Sequence, residues 1–192
     1  ILDLHSRDLL QDGFRCWAGG ESGSGKTNIT ALIVEQVVAQ QNQVLILDMH
    51  GEYGNLWAVD PGGVVRAGYG GSEVQLDSVP WCLDVLAQGK SLLLDLSHWS
   101  DIHPEQLDAF MLKLMQGLYE LRRKKPKCTL VVVEEAQVVI PQTQSQGQAE
   151  NVRIFLGMIT GGRNYGLQFL LTSQRQSLVD INALSSCNVR LF

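Results

Sequence analysis

The chain has 192 residues, 45% hydrophobic and 18% charged, an ordinary soluble globular composition for a chain long enough to bury its own core. The formal net charge of −5 excludes a basic nucleic-acid coat, so any nucleic-acid contact must come from a local patch or an assembled ring. No apolar run approaches the roughly 20 residues that cross a bilayer, and charges interrupt the opening ILDLHSRDLLQDG, so no signal peptide is expected in it.

Strands and helices alternate along the chain. Phe14 to Ala18 is a short apolar run entering a Gly-rich stretch, and residues 25–41 carry Ile29, Leu32, Ile33 and Val37 at helical spacing. Val44 to Leu47, closed by Asp48, reads as a buried strand. Between 51 and 89 the turn signals PGG and GYGG accompany two short edge strands, Val64–Val65 and Val74–Leu76. Leu92 to Leu96 is another apolar run and carries Asp95. Pro104 suits the first turn of a strong helix, whose stripe is Leu107, Phe110, Met111, Leu114, Met115 and Leu118. The basic run RRKKPK at 122–127 ends that helix, solvated and followed by a proline stop. Leu130 to Val133 is a strand, 141–148 a Gln-rich polar loop, and 150–159 a helix. Leu167 to Leu171 is a buried strand ending at Thr172-Ser173-Gln174, and Val189 starts the last strand. Apolar strands alternating with helices predict an α/β fold with a mostly parallel central sheet and helices on both faces. Such sheets place ligands at the carboxyl ends of their strands. Asp48, Asp95, the Glu134–Glu135 pair and Gln174 fall there.

Gly20-Glu21-Ser22-Gly23-Ser24-Gly25-Lys26-Thr27 matches G-x-x-x-x-G-K-[ST] in full, after a predicted strand and opening a predicted helix that continues with Asn28. Glycines let the backbone wrap a phosphate, and the helix N-terminus adds positive potential. Lys26 reaches the β- and γ-phosphates of a bound nucleotide, and the Thr27 hydroxyl ligates Mg²⁺. The segment LVVVEEAQ, residues 130–137, ends an apolar strand on two carboxylates. Such a pair is costly unless a cation or donors satisfy it. A Mg²⁺ beside the phosphate loop relieves one of them. Alternation along a strand points neighbours apart, so Glu134 is assigned to the metal and Glu135 to the attacking water. Gln174, on a strand expected between the phosphate-loop strand and the Glu-bearing strand, is assigned to the γ-phosphate as a sensor.

ESGSGKTN, LILDMHGEY, VVVEEAQ, GGRNYGL, and LLTSQRQS followed by LSSCNVRLF occur in that order. From about Gly13 onward the chain resembles the ATPase core of the HerA/FtsK superfamily, and HerA more than FtsK. The resemblance implies a RecA-like P-loop NTPase of the additional-strand catalytic-glutamate type. It further implies a homo-oligomeric ring, a hexamer in this family, that moves double-stranded DNA with ATP and Mg²⁺, with a nuclease or other DNA-processing partner. Arg163 in GGRNYG is then the arginine finger that reaches the neighbouring subunit's ATP, with Arg175 as its rival. Two residues depart from the family pattern: Gln137 stands where His is usual, and Gln176 where Pro is usual.

Other groups carry less. Asp48, His50 and Glu52 either position water or the neighbouring subunit, or cap a turn, and His98 and His103 read as surface residues. Cys16, Cys82, Cys128 and Cys187 are scattered without a Cys-x-x-Cys pair, so they read as thiols of a reducing cytoplasm, where the protein is placed. The chain opens on Ile1 and closes on Phe192 inside an apolar run, and is read as one motor domain over 1–192 lacking flanking segments. Two other functions remain on the same fold: a type IV secretion, conjugation or viral genome-packaging ATPase, and a nucleotide-binding scaffold without hydrolysis, against which Glu135 argues.

Overall fold

The structure is a computed structural model that describes residues 13–69, 74–100, 104–145 and 147–192. Its strands are β1 (Arg15–Gly19), β2 (Gln43–Asp48), β3 (Val64–Ala67), β4 (Ser91–Asp95), β5 (Thr129–Val133), β6 (Leu167–Ser173) and β7 (Val189–Leu191). They form one seven-stranded sheet in the order β3-β4-β2-β5-β6-β1-β7, and every pairing in it is parallel. The helices are α1 (Lys26–Ala39), α2 (Val79–Ala87), α3 (Ser97–Ser100), α4 (Pro104–Lys124), α5 (Gln148–Gly161) and α6 (Ile181–Ser185).

The continuous apolar runs of the central strands follow from burial on both faces. In β5, Leu130 and Val132 face one apolar cluster with Ile33, Val34 and Val37 of α1, while Val131 and Val133 face the other. β2 repeats this alternation: Val44 and Ile46 lie on the α1 side, Leu45 and Leu47 on the opposite side. That opposite side is covered by α2, α4 and α5, through side chains such as Leu86, Phe110, Leu114 and Phe155. Each fully buried Val or Leu contributes roughly 1.5–3 kcal/mol. The sheet is thereby a rigid platform, and its carboxyl edge is where the chain departs into loops.

The stripe of α4 is buried as expected, from Leu107 through Leu118, but it continues one turn further to Arg122, which is 1% exposed. Arg122 therefore does not belong to the solvated basic end, to which the exposed Arg123 and Lys124 do. In α1 the buried face is Thr30, Ile33, Val34 and Val37, whereas Ile29 and Leu32 are exposed. The helix is apolar nearly all round, so spacing alone picked a stripe rotated from the one the sheet selects. Val74–Leu76 is no strand: Leu76–Ser78 is a 3₁₀ turn leading into α2, which the Pro80 and Trp81 context concealed. α6 and the 3₁₀ helix Gly54–Val59 are likewise short elements without a legible period. His98 is half-buried, with a ring nitrogen 3.1 Å from the Val74 carbonyl oxygen. The expectations at residues 1–12, at His103, at the Gly70–Gly71 end of GYGG and at Gln146 lie outside the described residues.

Candidate active site

β1 delivers the chain to Gly19, and α1 begins at Lys26. The connecting loop needs left-handed backbone at Gly23 (φ 80°) and Gly25 (φ 92°), a conformation that a side chain disfavours. Gly25 caps α1 without a side chain, and no acid stands in the first turn. The first amides of the helix and the positive end of its dipole are left for an anion. Lys26 folds back over this loop, its Nζ donating to the carbonyls of Gly20 (2.7 Å) and Glu21 (2.9 Å).

Register brings the acidic strand end to the same level. Gly19 pairs with Ser173, and Val133 pairs with Leu171, so β1 and β6 end level and β5 ends two residues earlier, which leaves Glu134 and Glu135 beside the last residues of β6. β6 stands between the other two, a gap of about 10 Å at two strand spacings. A cavity of about 290 Å³ opens over this edge. The phosphate loop forms one wall with Lys26, Thr27 and Asn28; Glu134 and Glu135 form another; Gln174 and Thr172 close it from β6. His50, Glu52 and Tyr53 complete the rim. The chain thus brings Lys26, Thr27, Glu134, Glu135 and Gln174 into one cavity, along with Ser22, Gly23 and Gly25; Gly20, Glu21 and Ser24 hold the loop itself together, Ser24 N–H donating to the Glu21 carbonyl.

Both carboxylates are buried, Glu134 at 5% and Glu135 at 7% exposure. They are separated by a turn and not by strand alternation. Glu134 still continues the ladder, its N–H donating to Leu47 O at 3.1 Å. Glu135 has left it, in left-handed backbone (φ 45°, ψ 58°). Glu134 Oε2 accepts from the backbone amides of Met49 (2.8 Å) and His50 (3.2 Å). Its carboxyl is nonetheless pushed up to about 9, first by burial and then by the neighbouring Asp48. Glu135 Oε2 accepts from Gln137 Nε2 at 2.6 Å.

Asp48, fully buried, resolves to a turn cap. Oδ1 accepts from the amides of His50 (3.1 Å) and Gly51 (2.7 Å), and Oδ2 from Tyr53 N–H (2.8 Å) and Tyr69 O–H (2.5 Å). Those four donors fill the lone-pair sites of a carboxylate. Asp95 is a cap as well, accepting from Ser97 N–H at 3.0 Å. Thr27 Oγ1 donates to Glu52 Oε2 at 2.9 Å, which brings Glu52 from the β2 turn to the phosphate-loop helix. Burial pushes the Tyr53 phenol well above its ordinary range.

Arg163 is not in this cavity. It lies in the 3₁₀ turn Gly162–Tyr165, before β6 and so at the amino edge of the sheet, exposed, its side chain against Gly13. Arg175 follows Gln174 at the carboxyl edge and lines a second cavity of about 280 Å³ with Gln137, Glu135 and Gln174. Sequence reasoning gave Gln137, Tyr53 and Thr172 no place in the site. Gln137 stood out only as a departure from a pattern, and the D-x-x-G turn at 48–51 was the available sign that the following residues return toward the phosphate loop.

Residues 19–121 match the sequence family described as Helicase HerA, central domain. Among solved structures, the chain is similar to the genome packaging NTPase B204 from Sulfolobus turreted icosahedral virus 2 in complex with AMPPCP. The TM-score is 0.63 at 16% identity, over 94% of this chain and 73% of that one. VirB4 of Thermoanaerobacter pseudethanolicus gives 0.61 at 10% identity, over 84% and 70%. The cytoplasmic domain of EssC gives 0.51 at 13% identity, over 95% of this chain and 31% of that one. At such identities the likeness is one of fold, that of a RecA-like P-loop NTPase. No curated protein sequence matches the chain.

Proposed function

The chain belongs to the HerA central-domain family and is a HerA-type ATPase domain, and from that premise we propose that it is the motor of a ring that moves double-stranded DNA by hydrolysing ATP. One observation carries the reading: a phosphate loop and two buried carboxylates, far apart in sequence, face each other across one cavity with a strand between them. In this reading the loop amides and Lys26 hold the triphosphate, with Lys26 exchanging its carbonyl partners for phosphate oxygens. Thr27 and Glu134 hold Mg²⁺, and their hydroxyl and carboxylate oxygens suit that hard cation. When bound, Mg²⁺ neutralises charge on the phosphates. Glu135 orients the attacking water, making this the additional-strand catalytic-glutamate type, and Gln174 contacts the γ-phosphate.

Arg163 acts in trans. At the amino edge it is remote from its own cavity, and a head-to-tail ring would bring it toward a neighbouring copy. The ring is a hexamer, it works in the cytoplasm with a DNA-processing enzyme such as a nuclease, and residues 1–192 form one motor domain. The fold likeness to a packaging NTPase and to VirB4 favours a second reading, an ATPase of genome packaging or of a secretion complex. Among the described residues no helix is long and apolar enough to cross a membrane.

Steady-state ATP turnover, measured with and without duplex DNA, tests the proposal. Turnover stimulated by duplex and lost in Lys26→Ala supports a DNA motor. Turnover indifferent to DNA shifts the reading to the secretion ATPase, and a Lys26→Ala variant that hydrolyses normally ends both.

A further inference from the structure

Gln137 reaches Glu135 from outside the nucleotide cavity. It lines the second cavity, with Val138 and Arg175, and not the one that holds Lys26 and Thr27. Glu135 lines both, together with His50 and Gln174. Its Oε2 takes the Gln137 Nε2 donor at 2.6 Å, and the Gln174 backbone amide stands on the same oxygen at 3.5 Å. Oε1 has no donor among the described residues.

The amide orientation of Gln137 is forced. Turning it over would set a carbonyl oxygen against a carboxylate oxygen, two acceptors with no proton between them. The cost of the observed orientation falls on Gln137 Oε1, which is buried without a hydrogen-bond partner. A buried orphan acceptor is destabilising. It persists here because the other end of the amide satisfies a buried charge, and charge-assisted bonds are the stronger kind. The backbone points the same way: Glu135 is one of two non-glycine residues with positive φ among the described residues, and strain of this sort is held in place by its surroundings.

We propose that Gln137 is the positioning residue for Glu135, pinning Oε2 so that Oε1 is turned to the water at the nucleotide. The inference rests on the reading of Glu135 as the residue that orients this water. Gln137 does not line the nucleotide cavity, so its removal misplaces the carboxylate without weakening the nucleotide contacts.

The test is a kinetic cycle on Gln137 and Glu135. Gln137→Ala, and Gln137→Met, which keeps length and bulk without a donor, each lower kcat by about 10- to 100-fold, with KM for ATP and Tm held. Gln137→His restores an N–H donor and recovers part of kcat. In a Glu135→Gln background, Gln137→Ala produces no further loss, because the group it positions is gone. The proposal is overturned by an unchanged or raised kcat in Gln137→Met, or by a loss that adds in full to that of Glu135→Gln. If Glu135→Gln is inactive while both Gln137 variants are normal, only the positioning role fails. If Glu135→Gln turns over like the wild type, the reading of Glu135 fails and takes Gln137 with it.

Discussion

Arg122, at the amino edge of the sheet, is buried among neutral acceptors, whereas Glu134 and Glu135, at the carboxyl edge, are buried against open space. Arg122 Nε donates to Thr129 Oγ1 at 2.9 Å, and its NH2 nitrogen donates to Gln43 Oε1 and to Leu86 O. Gln43 Nε2 in turn donates to Leu86 O (3.0 Å) and Lys90 O (2.5 Å). The network is closed on itself, ties α4 to the starts of β2 and β5, and ends on the Lys90 carbonyl beyond α2 and on the Leu86 carbonyl in the last turn of α2, where the helix dipole favours a cation. No carboxylate answers the guanidinium among the described residues, and burial lowers its pKa. At the carboxyl edge, by contrast, Glu134 and Glu135 keep part of their surface on a cavity. The difference teaches how to tell a strut from a site: each edge hides charge, but at the carboxyl edge the buried carboxylates face a cavity within reach of a ligand.

Mutations at the two edges then separate stability from turnover. Lys26→Ala and Glu135→Gln have the largest effect, a loss of at least about 100-fold in kcat, with Tm close to the wild type. Arg122→Ala should do the reverse. It strands Gln43 and Thr129 in the interior, costs about 2–3 kcal/mol, and lowers Tm by about 5–10 °C, while turnover per folded molecule at low temperature is kept. An Arg122 variant that loses turnover without losing Tm would break the contrast between the edges.

Glu134 sharpens it through pH. Its folded pKa, near 9, is above that of an unfolded carboxylate. The folded state therefore binds a proton more tightly, and the associated stability is full below about pH 4.5 and lost as pH rises toward 9. Glu134→Gln removes this slope. In EDTA and without nucleotide, its Tm relative to the wild type should climb steadily between pH 5 and pH 8; a flat difference would show Glu134 ionised in the folded state. Tyr69→Phe is the smallest step. It deletes one of the four donors to Asp48 and should cost about 1 kcal/mol, read as a Tm fall of about 2–4 °C.

Much of this was legible in the residues. The glycines and Lys26-Thr27 of the phosphate loop sit between a strand and a helix whose local signals are strong, and the buried strands announce themselves as unbroken apolar runs. The stripe of α4 was readable through Leu118 but not at Arg122, because a charged residue at the end of a helix has the same spelling whether it meets water or Gln43. The exposed side of α1 was misplaced for a related reason: Ile29, Leu32 and Val34 are interchangeable by hydropathy, and only the position of the sheet chooses among them.

Sequence by itself determined the chemistry that is available, a phosphate cradle and a pair of carboxylates on an alternating α/β pattern, since these depend on local backbone preference and residue type. Tertiary structure alone decided which groups meet. The register of β1, β6 and β5 sets the acidic strand end near the phosphate loop, the left-handed turn at Glu135 parts the two carboxylates and folds Gln137 back onto Glu135, and Glu52 and Tyr53 arrive through contacts that no spacing encodes. Such contacts are long-range, and their energy is realised only once the sheet has placed its strands side by side.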